Sequence, residues 1–130
     1  MKKLTAILSF IIFVSAGCSS APVKTDYQQI SMTEAALMME KEKDYIILDV
    51  RTEEEYAEEH IPGAICIPNE TIGSEEIEEL PDKNQLILVY CRSGNRSKQA
   101  SQKLADMGYT NVVEFGGIID WTGETVDGEL

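Results

Sequence analysis

A chain of 130 residues with 43% hydrophobic content can bury one core and has little material for a second. Its formal charge of −12, from 23 acidic against 11 basic residues, argues against nucleic acid as a partner and against polybasic attachment to anionic lipid. One histidine and three scattered cysteines cannot supply a four-ligand zinc site at the usual spacings, and neither Gly-x4-Gly-Lys-Ser/Thr nor Gly-x-Gly-x-x-Gly is present, so no metal or organic cofactor is expected.

The chain opens with Lys2 and Lys3, then a charge-free run of 13 residues from Leu4 to Ala16, then Gly17-Cys18-Ser19-Ser20. A basic start, an apolar middle and a small-residue end make the layout of a secretory signal peptide. The apolar run reaches about 20 Å at the helical rise, short of a bilayer core of about 30 Å, so a spanning anchor is the weaker reading. Ser15-Ala16-Gly17-Cys18 resembles a bacterial lipoprotein cleavage box, with Ser15 where such boxes usually carry Leu. The resemblance implies that residues 1–17 leave as a signal peptide and that Cys18 is diacylated, with cleavage without lipid as the alternative. Residues 18–26 then form a polar tether and residues 27–130 the folded domain. On this reading the protein is lipid-anchored in the bacterial cell envelope, on the extracytoplasmic side of the membrane. Loss of Lys2 and Lys3 takes the formal charge from −12 to −14.

Beyond the tether, strands and helices alternate. Tyr27 to Ile30 reads as a short strand, and Ser31 with Glu34 as a capping box for a helix to about Lys41. Tyr45 to Val50 is a continuous apolar run holding Asp49, as expected of a parallel strand. Thr52 and Glu55 form a second capping box, for one or two turns. Pro62-Gly63 turns the chain into a short strand over Ala64 to Ile67, which Pro68 ends. Ser74 is placed to cap a short acidic helix to Leu80, and Pro81-Asp82 turns into the next strand. Val112 to Phe115 is the last strand, broken by Gly116-Gly117 before a turn carrying Trp121. This alternation predicts an α/β fold: one small domain, with a central, mostly parallel sheet and helices on both faces.

The chemistry is concentrated at the central strand, Leu86 to Tyr90. Cys91-Arg92-Ser93-Gly94-Asn95-Arg96 follows it, then a helix from Ser97 to Met107 that buries Ala100, Leu104 and Met107 and stops at Gly108. A cysteine is thereby placed between strand and helix, on the ligand side of an α/β sheet. Gly94 permits a tight turn, the loop amides can curl round the sulfur, and the helix adds positive partial charge. These features favour thiolate over thiol, so Cys91 is expected to be a nucleophile in an electropositive, partly exposed setting. Between Lys83 and Ala105 no acidic residue occurs, while Lys83, Arg92, Arg96, Lys98 and Lys103 do. Beside a thiolate, that window reads as an entry for an anionic substrate; by itself it would be a solvated helix face.

Cys91 to Arg96 resembles the six-residue active-site loop of the rhodanese (sulfurtransferase) family. The resemblance extends through Asp49-Val50-Arg51, Glu55-Tyr56, His60-Ile61-Pro62-Gly63-Ala64 and Ile67-Pro68. Downstream it takes in Gly108-Tyr109, Val112, Gly116-Gly117-Ile118 and Trp121, so that it covers roughly Tyr27 to Val126. One departure is Glu59, where the family commonly has Gly. The resemblance implies a rhodanese-like fold and sulfur transfer through a persulfide on Cys91, without a cofactor. Arg92, Ser93, Gly94, Asn95 and Arg96 would bind substrate, with Asp49 and Arg51 in support. The implied partners are a small sulfane-sulfur donor such as thiosulfate and an acceptor that is cyanide, a small thiol or a protein thiol.

Competing assignments stay open at this level. A cysteine-dependent phosphatase or arsenate reductase also sets a thiolate in an anion-binding loop, but its signature has five residues between Cys and Arg where this chain has four. A sulfur-carrying or thiol-sensing binding module is the second alternative. Asp49 and Arg51 read first as a structural ion pair. His60 lies in a turn explained by geometry, which disfavours it as a base. Cys66 reads as a small buried residue, with a disulfide to Cys91 as the sharper option. Tyr109 and Trp121 read as packing anchors, and the glutamates at 53–59 and 75–79 as solvated faces.

Overall fold

The structure is a computed structural model that describes residues 26–129; the signal-peptide and Cys18 readings fall on residues outside that range. Five parallel strands form one sheet in the order β1-β5-β4-β2-β3. They are β1 (Gln28–Gln29), β2 (Tyr45–Asp49), β3 (Ile65–Cys66), β4 (Leu86–Cys91) and β5 (Val112–Gly117). The central strand β4 and its neighbour β2 are the apolar runs, with Asp49 the one charged residue at the end of β2, as required of strands covered on both sides.

Alternation along β2, β4 and β5 divides the core. Leu48, Val50, Ile87, Val89, Cys91 and Val112 face helix α3 (Asn95–Asp106), which supplies Ala100 and Leu104. Ile47, Leu88, Tyr90, Val113 and Phe115 face the opposite side, against Ala35 of α1 (Met32–Lys41) and Tyr56 of α2 (Glu53–Glu58). The capping box at Thr52 forms in full: Thr52 Oγ1 accepts from Glu55 N–H while the Glu55 carboxylate accepts from Thr52 N–H. At Ser31 only half forms, Ser31 Oγ accepting from Glu34 N–H while the Glu34 carboxylate takes the Ser31 hydroxyl rather than its amide. Helices thus lie on both faces, as the alternation requires.

Three local expectations are corrected. The acidic helix from Ser74 to Leu80 is absent; a single 3-10 turn sits earlier, at Asn69–Thr71. Glu75, Glu76, Glu78 and Glu79 repel one another at helical spacings, and a stretch this short cannot repay nucleation by burying only Ile77 and Leu80. The last strand runs on through Gly117. Gly116, at φ 102°, absorbs a register shift opposite Val89–Cys91 that a side-chain-bearing residue would resist. Finally α3 starts at Asn95, two residues early, because Gly94 at φ 105° completes the turn and caps the helix.

Candidate active site

Cys91 is the last residue of the central strand, and α3 begins four residues later with its N-terminus over the sulfur. The left-handed conformation of Gly94 brings its own amide back onto the cysteine: Gly94 N–H donates to Cys91 Sγ at 3.0 Å. A second glycine is needed for the loop to lie where it does. Gly117 pairs with Cys91 across the sheet, and a Cβ there would overlap the Arg92 carbonyl. The helix dipole and the amide both place positive partial charge at the sulfur. Cys91 is only 1% exposed, so it is buried rather than partly exposed as expected. The reason is that the loop folds over it.

The loop's side chains divide sharply. Arg92, Ser93 and Asn95 are exposed, whereas Arg96 is half-buried and turned toward α2. Its guanidinium donates to both carboxylate oxygens of Glu55, at 2.6 and 3.0 Å. That fork raises the Arg96 pKa and holds the Glu55 carboxyl down at about 2. Arg96 is therefore largely neutralised, leaving Arg92 as the loop's exposed cation. An open groove beside it is lined by Arg51, Glu55, Glu58, Glu59, Ile118 and Ile119.

Behind the sulfur lies a carboxylate that the sequence reading did not single out. Glu114 of β5 is 3% exposed and accepts from Ser97 Oγ at 2.7 Å and from Gly116 N–H at 2.9 Å. Ser97 Oγ in turn lies 3.4 Å from Cys91 Sγ. The available signal was parity: Glu114 shares a strand face with Val112, where an apolar side chain belongs.

Asp49 and Arg51 are brought together, but not at the sulfur. They lie on the α1–α2 side of the sheet, joined by Arg51 Nη2 to Asp49 Oδ2 at 2.7 Å, and Asp49 also accepts from the Tyr90 hydroxyl at 2.7 Å. Burial works against the Arg51 charge, yet the bonds and charge of Asp49 outweigh it and leave its pKa raised. Tyr90 OH also accepts from Ile61 N–H, so the network pins the ends of β2 and β4 to the 59–61 segment. His60 belongs to that segment. Its ring stacks on Tyr56 at 3.7 Å and its Nδ1 lies 2.7 Å from the Tyr56 carbonyl, on the face away from Cys91. Tyr109 donates to the Leu80 carbonyl, and Trp121 packs against Phe115.

Cys66 and Cys91 are both free. Strand β2 separates them, a gap of about 10 Å at ordinary strand spacing, and their side chains point to opposite faces of the sheet. A disulfide would require the sheet to come apart. Burial, with the charge of Asp49, pushes the Cys66 thiol up to about 12. Among the described residues no group of three or more His, Cys, Asp or Glu is placed to hold a metal ion.

A cysteine at the carboxyl end of a central parallel strand, cradled by a short loop at a helix N-terminus, defines an α/β domain with a candidate nucleophile on the ligand side of its sheet. The family model described as Rhodanese-like domain matches residues 31–124, and the chain belongs to the rhodanese-like family. It is 44% identical over 73 residues to the thiosulfate sulfurtransferase PspE of Escherichia coli K12, spanning 56% of this chain and 70% of that protein. It is 36% identical over 96 residues to the thiosulfate sulfurtransferase GlpE of Coxiella burnetii, spanning 73% and 87%. A solved rhodanese with anions from E. coli superposes with a TM-score of 0.60 at 40% identity, covering 65% of this chain and 99% of that one.

Proposed function

We propose that this domain is a thiosulfate-type sulfurtransferase that carries sulfane sulfur as a persulfide on Cys91. The observation that carries the reading is the Gly94 N–H aimed at Cys91 Sγ beneath the N-terminus of α3. The Cys91 thiolate attacks the sulfane sulfur of thiosulfate; an S–S bond forms to Sγ, the S–S bond of the donor breaks, and sulfite leaves with the electron pair. Cyanide or a thiolate then attacks the terminal sulfur, and the bonding pair returns to Cys91. Two half-reactions through a covalent intermediate give ping-pong kinetics. Arg92 draws in the anionic donor, the amides from Arg92 to Arg96 surround the transferred atom, and Arg96 holds the loop to α2. Asp49 and Arg51 secure the strand ends beneath it. The names of the relatives in E. coli and C. burnetii support the choice of donor. The same proposal places the domain outside the cytoplasmic membrane, tethered through acylated Cys18.

Mass spectrometry of the full chain tests the reading. Thiosulfate should add one sulfur mass at Cys91 and cyanide should remove it as thiocyanate. Cys91→Ser should abolish both, and Cys66→Ser should keep most of the activity. Wild-type turnover by Cys91→Ser would refute the mechanism. The short loop suits a cysteine bearing one extra atom better than a tetrahedral oxyanion, which needs more inward N–H donors. Cys91-dependent hydrolysis of aryl phosphate at an enzymatic rate would favour the phosphatase reading instead.

A further inference from the structure

The Cys91–Ser97–Glu114 chain holds more than packing requires. Glu114 is a buried carboxylate with no basic partner among the described residues; its carboxylate bonds run to the Ser97 hydroxyl and the Gly116 amide. Ser97 has one hydroxyl proton; besides the backbone carbonyls of Gly94 at 3.0 Å and Gly116 at 3.4 Å, two titratable groups meet it, Glu114 Oε1 at 2.7 Å and Cys91 Sγ at 3.4 Å. One proton cannot serve both. If the hydroxyl donates to an ionised Glu114, it shows lone pairs to the sulfur and suits a thiol that donates to it. If Glu114 is protonated and donates to Ser97 Oγ, the hydroxyl is released to donate to a thiolate.

From this we infer that Glu114 is a positioning residue that shares one proton with Cys91 through Ser97. When the sulfur becomes an anion, the S–H bond breaks toward Ser97 Oγ while the Ser97 proton passes to Glu114 Oε1; the reverse transfer restores the thiol. The nucleophile thus forms without exporting a proton from a site that is closed to water. The other charged groups around the trio are Arg92 and Arg96, with Glu55 and Glu70 acting on Arg96, while α1 presents apolar Met32 at Gly116. None of these contacts the Ser97 hydroxyl. This inference deepens the sulfur-transfer reading and takes from it that the thiolate is the working form of Cys91.

Glu114→Gln tests it, in a detergent-solubilised full chain carrying Cys18→Ser and Cys66→Ser so that Cys91 is the reactive thiol. A neutral amide competes for the hydroxyl less strongly than a carboxylate, a difference of about one hydrogen bond to a charged group. The iodoacetamide rate profile of Glu114→Gln should therefore move to lower pH, with alkylation on its acid limb about tenfold faster than wild type. In the Ser97→Ala background the same substitution should change the rate by less than half as much. An unmoved profile, or an equal shift without Ser97, overturns the proposal. Should Glu114→Gln not fold, infrared spectra of the parent chain decide instead. A protonated-carboxyl band present where Cys91 alkylates and lost once it is capped supports the relay, and no such band refutes it. Alkylation needs no sulfur donor, so a normal alkylation response without thiosulfate turnover would count against the sulfurtransferase reading alone.

Discussion

Glu55 contributes at two levels, and Glu55→Gln separates them. Glutamine also serves at the third position of a capping box, so the start of α2 should survive, while the fork to Arg96 loses its charge. Holding the carboxyl at about 2 instead of its ordinary 4.5, chiefly through the Arg96 bond, sets a ceiling of about 3 kcal/mol on what its partners contribute. The two side chains are 29% and 28% exposed, and solvent screening brings the expected loss to about 1–2 kcal/mol. For a domain of this size that lowers Tm by roughly 5–10 °C. Because the folded pKa is depressed, the contribution is fully present above pH 4.5 and is lost as pH falls through about 2. Urea melts of wild type and Glu55→Gln at a series of pH values read this directly: the curves should differ most at neutral pH and converge in acid. A difference that persisted unchanged toward pH 2, or none at pH 7, would refute the reasoning.

Other outcomes follow from the same geometry. Asp49→Asn leaves Arg51 buried beside a neutral amide and should cost about 3–5 kcal/mol in urea unfolding, the loss expected when one member of a buried pair is removed. Gly117→Ala puts a methyl into the Arg92 carbonyl; sulfur transfer should fall at least tenfold, with a stability loss of about 1–3 kcal/mol by thermal melt. If Cys18 is acylated, the wild-type chain should partition into detergent and Cys18→Ser should lack the acyl mass. An unprocessed N-terminus without acyl groups would discard the lipoprotein reading.

Most of the architecture was legible in the sequence because it rests on local, periodic signals. Unbroken apolar runs at 45–50 and 86–90 predict parallel strands, capping boxes at Ser31 and Thr52 predict helix starts, and Cys91 at the strand–helix junction predicts the site. Where the reading failed, at 74–80 and at Gly116-Gly117, a local pattern competed with what the core would accept: repelling glutamates could not repay a helix, and a left-handed glycine let β5 continue. Tertiary structure alone decided the electrostatics of the site. Glu55 and Arg96 are 41 residues apart in the chain, and Ser97 and Glu114 are 17 apart. No spacing rule joins them, because their partners are set by strand order and by which side of the sheet each residue faces. That same parity separates Cys66 from Cys91 and turns Asp49 to the side of the sheet where Tyr90 meets it, opposite the sulfur. A sequence specifies which groups a site can draw on; the burial of Glu114 behind the cysteine depends on how β5 registers against β4, and that register exists only in the folded sheet.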